Sequence, residues 1–147
     1  CAGGWAEMGG IHLHYIVPGD DFTRAGEASA DLKSRLKKLG VPPTAIRKVS
    51  IALYEGEINL AIHAGGGDID VEITDDTVRM CLSDQGPGIA DLSLAMSEGY
   101  STAPDEVRSL GFGAGMGLPN MKKYSDEFDI QSTVGVGTTV NMAVSIA

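Results

Sequence analysis

The stretch Glu55-Gly56-Glu57-Ile58-Asn59 decides how this chain is interpreted, because it places polar side chains within an otherwise apolar helical pattern. Apolar residues recur around it at helical spacing, which predicts a helix from about Ala45 to Ala64. Glu55 and Asn59 are four residues apart and therefore share one face of that helix, and His63 continues the row. The row is either a solvent-facing stripe or one wall of a binding site.

The second interpretation is a site for Mg²⁺ and phosphate. An asparagine side-chain oxygen is a hard ligand of the kind that suits Mg²⁺, so Asn59 is the candidate metal ligand. A neighbouring carboxylate could orient or deprotonate an attacking hydroxyl group, which makes Glu55 the candidate catalytic base. Glu57 lies two residues along and is expected to point elsewhere. Gly56 costs roughly 1 kcal/mol relative to Ala within a helix, so close packing is expected there.

A glycine-containing turn follows the predicted strand over residues 78–82. It reads Asp84-Gln85-Gly86-Pro87-Gly88-Ile89. Gly86 and Gly88 permit positive φ and let the backbone approach a flat ligand. A buried Asp84 carboxylate could accept a hydrogen bond from an exocyclic amine such as adenine N6. The alternative is an ordinary turn rich in aspartate and glycine.

A second glycine-rich stretch, Gly111-Phe112-Gly113-Ala114-Gly115-Met116-Gly117, directly precedes a predicted helix. Glycines leave main-chain N–H groups open to phosphate oxygens, and a helix N-terminus adds partial positive charge. Residues 97–114 form a long irregular segment, and such segments often act as lids. A flexible linker is the alternative. No Gly-Lys-Ser/Thr follows, which excludes a Walker loop, and no strand closing a βαβ unit precedes it, which excludes a dinucleotide fingerprint.

The last motif, Gly137-Thr138-Thr139, begins the final predicted strand. Thr138 could reach the same adenine as Asp84, directly or through water, although a Gly-Thr turn alone usually indicates only a turn. None of the four motifs is specific by itself. Their order, spacing and structural context together predict a site for a nucleoside triphosphate.

The order of the predicted elements is that of an α+β fold. Asp20 or Asp21 is expected to cap the first helix, Thr44 the second and Asp91 a short one. Hairpins interrupted by helices predict a two-layer sandwich in which helices cover one face of a mixed sheet. The predicted elements are a strand over 11–17, helices over about 22–39 and 45–64, strands over 69–73 and 78–82, a short helix over 91–96, the lid, a helix over about 118–127, and strands over 128–132 and 138–144.

Composition limits the classes of partner. The chain has 147 residues, which fits one domain, and its 11 Lys and Arg against 20 Asp and Glu give a formal charge of -9. A chain with this net negative charge lacks the excess of Lys and Arg that is typical of a nucleic-acid-binding protein. Its apolar runs fall short of the roughly 18–20 residues that cross a bilayer, so no membrane association is expected. A basic protein partner, or Mg²⁺ bridging to phosphate, would suit it.

Residues 1–10 are expected to be an N-terminal tail or a tag remnant before a domain over residues 11–147. The tail lacks the charged region and apolar segment of a secretory signal, so a cytoplasmic protein is the simplest interpretation. The chain does not begin with Met, which keeps open a processed product or a fragment of a longer protein.

The four motifs together resemble those of the GHKL (Bergerat-fold) ATPase superfamily, to which gyrase, histidine kinases and MutL proteins belong. Within it, the chain looks most like the small serine/threonine kinases that regulate bacterial sigma factors, especially the switch kinases of stress signalling. The resemblance extends over residues 11–145. The segments that carry it are Glu55-x-x-x-Asn59, Asp84 through Ile89, Gly99-Tyr100-Ser101-Thr102, Leu110 through Pro119, Asp126-Glu127-Phe128 and Gly137 through Val140.

The resemblance implies an ATP- and Mg²⁺-dependent serine/threonine protein kinase that acts as a switch in an anti-sigma, partner-switching pathway. Its substrate would be a small antagonist protein, and a sigma factor or signalling complex and a homodimer are further implied partners. Glu55 would be the base, Asn59 would bind Mg²⁺, and residues 97–117 would form the lid. The implied nucleotide-binding residues are Asn59, Asp84, Gly86, Gly88, Ile89, Gly113, Gly115, Met116, Gly117, Leu118 and Thr138.

Two other functions stay open at this stage. The chain could be a non-catalytic binding module in which nucleotide orders the lid and the ordered lid selects a partner. It could also be the ATPase domain of a larger signalling protein such as a histidine kinase. The residue that contacts the γ-phosphate is open among Arg108, Lys122 and Lys123. His63 is a poor candidate phosphoacceptor because it lies in the helix assigned to ATP.

Overall fold

A computed structural model of the chain describes residues 10–96 and 117–147. Among the described residues no helix combines the length and the apolar character needed to cross a membrane. The elements are β1 (Ile11–Pro18), a 3-10 turn (Phe22–Arg24), α1 (Glu27–Lys38), α2 (Pro43–His63), β2 (Gly66–Ile73), β3 (Thr77–Ser83), α3 (Leu92–Ala95), α4 (Gly117–Lys123), β4 (Glu127–Thr133) and β5 (Gly137–Ser145).

Five strands form one sheet in the order β1-β2-β3-β5-β4. All four pairings are antiparallel, so the described strands form an antiparallel sheet and not the mixed sheet that was expected. The reason lies in the connections. Two hairpins join β2 to β3 and β4 to β5, and the two helices between β1 and β2 return the chain in the opposite direction. The predicted α+β class is confirmed.

The helices pack on one face of the sheet. α2 contacts β1, β2, β3 and β5, and it also packs against both α1 and α4. Alternate strand residues face the helices, as the period of two requires, and the opposite face carries polar residues such as Asp68 and Asp70. The inward strand residues that form the core with the helices include Ile69, Val71, Val78, Met80, Leu82, Val140, Met142 and Val144.

The predicted first helix is divided in two. The structure has a single 3-10 turn at Phe22–Arg24, and α1 begins only at Glu27. Gly26 separates them at φ 108°, a left-handed conformation that cannot continue a helix and that favours glycine. Asp21 therefore caps only the short turn.

The N-terminus of α1 is held by a side chain of α2. Glu57 is only 2% exposed, and its carboxylate accepts hydrogen bonds from the N–H groups of Gly26 (2.8 Å), Ala28 (3.0 Å) and Ser29 (3.0 Å). The hydroxyl of Ser29 donates a fourth, at 2.6 Å. These bonds pair N–H groups that a helix start leaves without intrahelical partners, and the negative charge suits the helix dipole. Glu57 thus links α2 to α1.

Two other predicted helix ends were misplaced. α2 begins with Pro43, so Thr44 does not cap it. Proline is favourable there because the first helical position needs no N–H donor. α4 ends at Lys123, earlier than predicted, because the N–H of Asp126 already bonds the carbonyl of Ala143 at the start of the final hairpin.

Candidate functional site

The polar row of α2 faces the beginning of α4. A Cβ atom on Gly117 would lie 3.8 Å from Glu55 Oε2 and 3.9 Å from Asn59 Oδ1, so both side chains contact this residue closely. Asn120, one turn along α4, hydrogen-bonds to the Glu55 carboxylate. No sequence pattern singles out Asn120, because the contact depends on how two separate helices pack.

The electrostatics of Glu55 suit a proton acceptor. Burial raises the pKa of its carboxyl group above the ordinary value, and the hydrogen bond from Asn120 opposes that rise. A carboxylate with a raised pKa holds a proton more strongly, which is the property that general-base catalysis requires.

Gly56 explains how α2 can lie so close to its neighbours. A Cβ atom at this position would overlap with Leu82 of β3 and lie 3.3 Å from the sulfur of Met121 in α4. The expected close packing at this glycine is therefore observed. It brings α2, and with it Glu55 and Asn59, close to α4.

A cavity of about 380 Å³ opens beside the C-terminal half of α2, a size within the roughly 300–1,000 Å³ typical of small-molecule sites. It brings together most of the predicted ligand-binding residues that the structure describes. Glu55 borders the cavity through Gly117 without lining it. The predicted residues that line it are Asn59, Asp84, Gly88, Ile89, Gly117, Leu118 and Thr138.

Among the described residues of the predicted set, Gly86 does not line the cavity. Gly86 packs against the end of α2, where a Cβ atom would lie 2.9 Å from the carbonyl oxygen of Ala64. The absence of a side chain at Gly86 therefore allows the turn after β3 to pack closely against the end of α2. Gly113, Gly115 and Met116, like the predicted lid, lie outside the described residues.

Asp84 is fixed by the backbone at one of its two oxygens. Its Oδ1 accepts hydrogen bonds from the N–H groups of Gly86 (2.9 Å) and Thr138 (3.3 Å). Gly137 makes this possible, because a Cβ atom there would collide with the carbonyl of Asp84. Within the described part of the chain both bonds end on Oδ1, so Oδ2 is available to a ligand in the cavity.

Thr138 is held by a residue that the sequence analysis did not identify. The Thr138 hydroxyl lies 2.7 Å from the hydroxyl of Ser132, which also accepts a hydrogen bond from the N–H of Ile89 at 2.7 Å. Ser132 thereby ties β4 to the turn that follows β3. The strand pattern contained a signal, since Ser132 continues the inward row of Phe128 and Ile130 where an apolar residue is expected.

His63 also lines the cavity, one turn beyond Asn59. Burial lowers the pKa of its imidazole, so the neutral form is favoured. Asp91 lines the cavity as well and caps α3 as predicted, accepting a hydrogen bond from the N–H of Leu94 at 3.0 Å. The apolar part of the wall comes from Ala64, Pro87, Ile89, Ala90, Ala95 and Leu118.

The donor atoms in the cavity fit a metal ion that is coordinated mainly by phosphate oxygens and water and only to a small extent by the protein. Among residues 10–96 and 117–147, no group of three or more His, Cys, Asp or Glu could hold a metal ion. Mg²⁺ commonly takes one or two protein ligands and completes its shell with phosphate oxygens and water. A single amide oxygen such as that of Asn59 is compatible with this mode of binding.

Comparison with known proteins gives the family. The family model described as the histidine kinase-like ATPase domain matches residues 20–144. The chain belongs to this family. The serine/threonine-protein kinase RsbT of Bacillus subtilis is 33% identical to it over 108 residues, which cover 71% of this chain and 75% of the relative. An anti-sigma F factor of Geobacillus stearothermophilus is 32% identical over 136 residues, 88% of each protein.

A solved structure supports the fold of this family member. The chain resembles the crystal structure of the RsbU and RsbW domains of a Mycobacterium tuberculosis protein, with a TM-score of 0.62 and 18% identity. The match covers 92% of this chain and 33% of that one, so the chain corresponds to about a third of its length. The predicted superfamily and the predicted sandwich are both confirmed.

Proposed function

We propose that this chain is an ATP- and Mg²⁺-dependent serine/threonine protein kinase that acts as a switch in an anti-sigma, partner-switching pathway. One observation carries the proposal: Glu55 and Asn59 meet the start of α4 beside a cavity that also exposes Asp84. The names of its relatives, a serine/threonine kinase and anti-sigma F factors, support the same class. The substrate would be a small antagonist protein.

Adenine would bind at the Asp84 end of the cavity. Oδ1 is already bonded to the backbone, so Oδ2 would accept a hydrogen bond from the exocyclic amine. The Thr138 hydroxyl, positioned by Ser132, supplies a second polar contact. Ile89 and Leu118 offer apolar surface for the faces of the purine.

The triphosphate would extend along α2 toward Asn59. Asn59 Oδ1 would be a ligand of Mg²⁺, which when bound neutralises charge on the phosphate oxygens. Gly117 leaves the space above Asn59 and Glu55 open to the phosphates. Gly113, Gly115 and Met116, which lie outside the described residues, would also belong to the nucleotide site as part of the proposed lid.

Glu55 would be the base of the transfer step. Its carboxylate takes the proton from a serine or threonine hydroxyl of the antagonist while that oxygen forms a bond to the γ-phosphorus. The bond between the γ-phosphorus and the bridging oxygen breaks, and ADP leaves. Catalysis of this kind depends mostly on positioning and charge neutralisation.

The test is transfer of radiolabelled γ-phosphate to candidate antagonist proteins. Glu55→Gln keeps the shape and the Asn120 contact but removes the base, so transfer should fall by roughly 10²–10⁴-fold while ATP affinity is retained. Glu27→Gln is the matched control, because Glu27 is an exposed carboxylate on α1. Transfer unaffected by Glu55→Gln would contradict the base assignment.

A second function is favoured by the anti-sigma F factors among the relatives. In that case the chain would bind a partner in a nucleotide-dependent manner without transferring phosphate. Wild-type protein that binds a sigma factor only with ATP, and labels no antagonist, would support this function. Both functions place the protein in the cytoplasm, where its nucleotide is found, and a homodimer fits either one.

A further inference from the structure

Most of the cations of this acidic chain lie at one end of the helical layer. Between Leu32 and Tyr54 the sequence contains no Asp or Glu, although the whole chain has 20. The last turn of α4 adds two lysines. We call this set the basic end; its members are Lys33, Arg35, Lys37, Lys38, Arg47, Lys48, Lys122 and Lys123.

The fold brings these residues to neighbouring helix ends. α1 ends at Lys38 and α2 begins at Pro43, so the two helix ends are adjacent. The guanidinium of Arg47 lies 5.5 Å from the ring centre of Tyr124, just beyond α4, and the ammonium of Lys123 lies 5.4 Å from the same ring. α2 separates this surface from the cavity, which lies at its other end.

Within residues 10–96 and 117–147, the positive charge of the basic end is only partly neutralised. Arg35 pairs with Asp31 at 2.8 Å and Lys48 with Asp126 at 2.9 Å. The other members form no ion pair with any residue that the structure describes. Six of the eight cations therefore have no acidic ion-pair partner among the described residues, in a chain whose formal charge is -9.

Helix stability accounts for only some of this charge. Cations near the C-termini of α1 and α4 interact favourably with the helix dipoles. α2 is different, since its first turn has no acidic residue and its second turn carries Arg47 and Lys48 close to the positive end of the helix. The helix dipole therefore does not account for Arg47 and Lys48, whose contacts with Tyr124 and Asp126 join α2 to the segment after α4.

The basic end has an apolar centre. Leu39, the residue after the last turn of α1, is 51% exposed. It directly follows Lys37 and Lys38 and precedes the exposed turn that leads to Arg47. An exposed apolar side chain flanked in sequence by cations offers the combination of apolar contact and charged rim that protein–protein interfaces use.

We propose that the basic end is a docking surface for an acidic segment of a protein partner, with an apolar side chain of that segment on Leu39. A long polyanion, such as nucleic acid or an anionic bilayer, would also meet the repulsion of the acidic remainder of the chain. A compact acidic segment avoids it, because charges more than about 8 Å apart are screened at physiological salt. The surface lies away from the proposed catalytic site and does not depend on its chemistry.

The test is a titration of the ¹⁵N-labelled chain with a short synthetic peptide of glutamates and leucines, followed by amide chemical shifts. Shifts are expected at residues 33–48 and 122–124, and they should weaken as salt is raised. Lys37→Gln with Lys38→Gln should weaken binding about fivefold to tenfold. Leu39→Ser, or a peptide of glutamates alone, should also weaken binding.

The matched control is Arg24→Gln with Arg79→Gln, which removes the same charge from other surfaces. It should leave peptide binding within about twofold, because both arginines lie outside the basic end and pair with exposed glutamates. An unchanged spectrum elsewhere shows that each variant is folded.

Three results would overturn the proposal. One is the absence of shifts at the basic end at millimolar peptide. Another is an equal loss of affinity in the two double variants, which would indicate general electrostatic attraction. The third is tighter binding at this surface by a DNA oligonucleotide or by phosphatidylserine vesicles, which would assign it to nucleic acid or to a membrane.

Discussion

Replacing Glu57 with alanine tests how the helical layer is held together. The carboxylate accepts four hydrogen bonds of 2.6–3.0 Å from Gly26, Ala28 and Ser29 and is almost completely buried. Hydrogen bonds to a charged group contribute about 1.5–3 kcal/mol each, but neighbouring bonds are not additive. With several buried donors left unpaired, the free energy of unfolding should fall by about 3–5 kcal/mol.

Glu57→Gln separates charge from shape. The amide oxygen can still accept hydrogen bonds, but the amide nitrogen that replaces the other oxygen can only donate. We expect a loss of about 1–3 kcal/mol. Urea unfolding at neutral pH, followed by circular dichroism, measures both losses. If the slope of the unfolding free energy against urea concentration is unchanged, the substitution has not altered the unfolded state.

Glu27→Ala is the control for the Glu57 variants. Glu27 lies in the first turn of α1 but is exposed, and its ion pair with Arg24 spans 3.4 Å. Its removal should cost no more than about 0.5 kcal/mol. If Glu57→Ala is no more destabilising than Glu27→Ala, then the carboxylate of Glu57 does not hold α1 on α2.

Three further predictions concern packing, ligand choice and pH. Gly56→Ala should lower stability by about 1–2 kcal/mol in urea unfolding, because contact with Leu82 outweighs the gain in helix propensity; a more stable variant would disprove the close packing. Asp84→Asn should reduce the preference for ATP over GTP in calorimetric titrations, since the amide can donate where the carboxylate only accepts; an unchanged preference would remove Asp84 from the adenine contact. The hydrogen bond to Asp70 raises the pKa of His14 above its ordinary value of 6.5. The interaction therefore contributes its whole stabilisation below pH 6.5, and this stabilisation is lost as the pH rises through the pKa of His14 in the folded protein. The stability difference between wild type and His14→Gln, at most about 1 kcal/mol, should therefore shrink from pH ~6 to pH ~8, and a constant difference would contradict it.

The elements were predictable where the sequence pattern is periodic. Alternation along residues 69–82 predicted the hairpin of β2 and β3, and the apolar spacing of α2 predicted its length to within a few residues. The break before α1 was not predicted because many helices tolerate a single glycine. In the structure, the φ of 108° at Gly26 prevents the helix from extending back through this residue. The antiparallel sheet follows from connection geometry, which was not traced from the sequence.

The candidate site was predictable as a set of motifs but not as a set of contacts. Asn59, Asp84 and Thr138 were found because polar residues interrupt apolar patterns or accompany glycines. Asn120 and Ser132 were missed, because each acts on a residue of another element. The role of Glu57 was missed for the same reason, since its partners precede it by about thirty residues.

The central claim is that the cavity binds ATP through a Mg²⁺ ion held by Asn59, and isothermal titration of ATP with and without Mg²⁺ tests it most directly. Wild-type protein should bind ATP more tightly with Mg²⁺ than without it, because the ion would join the phosphates to Asn59. Asn59→Ala should remove that increment and keep the Mg²⁺-free affinity, whereas Asn141→Ala, on the opposite face of the sheet, should behave like wild type. An Asn59→Ala variant that retains the full increment, or a wild-type protein that binds no ATP, would contradict the claim.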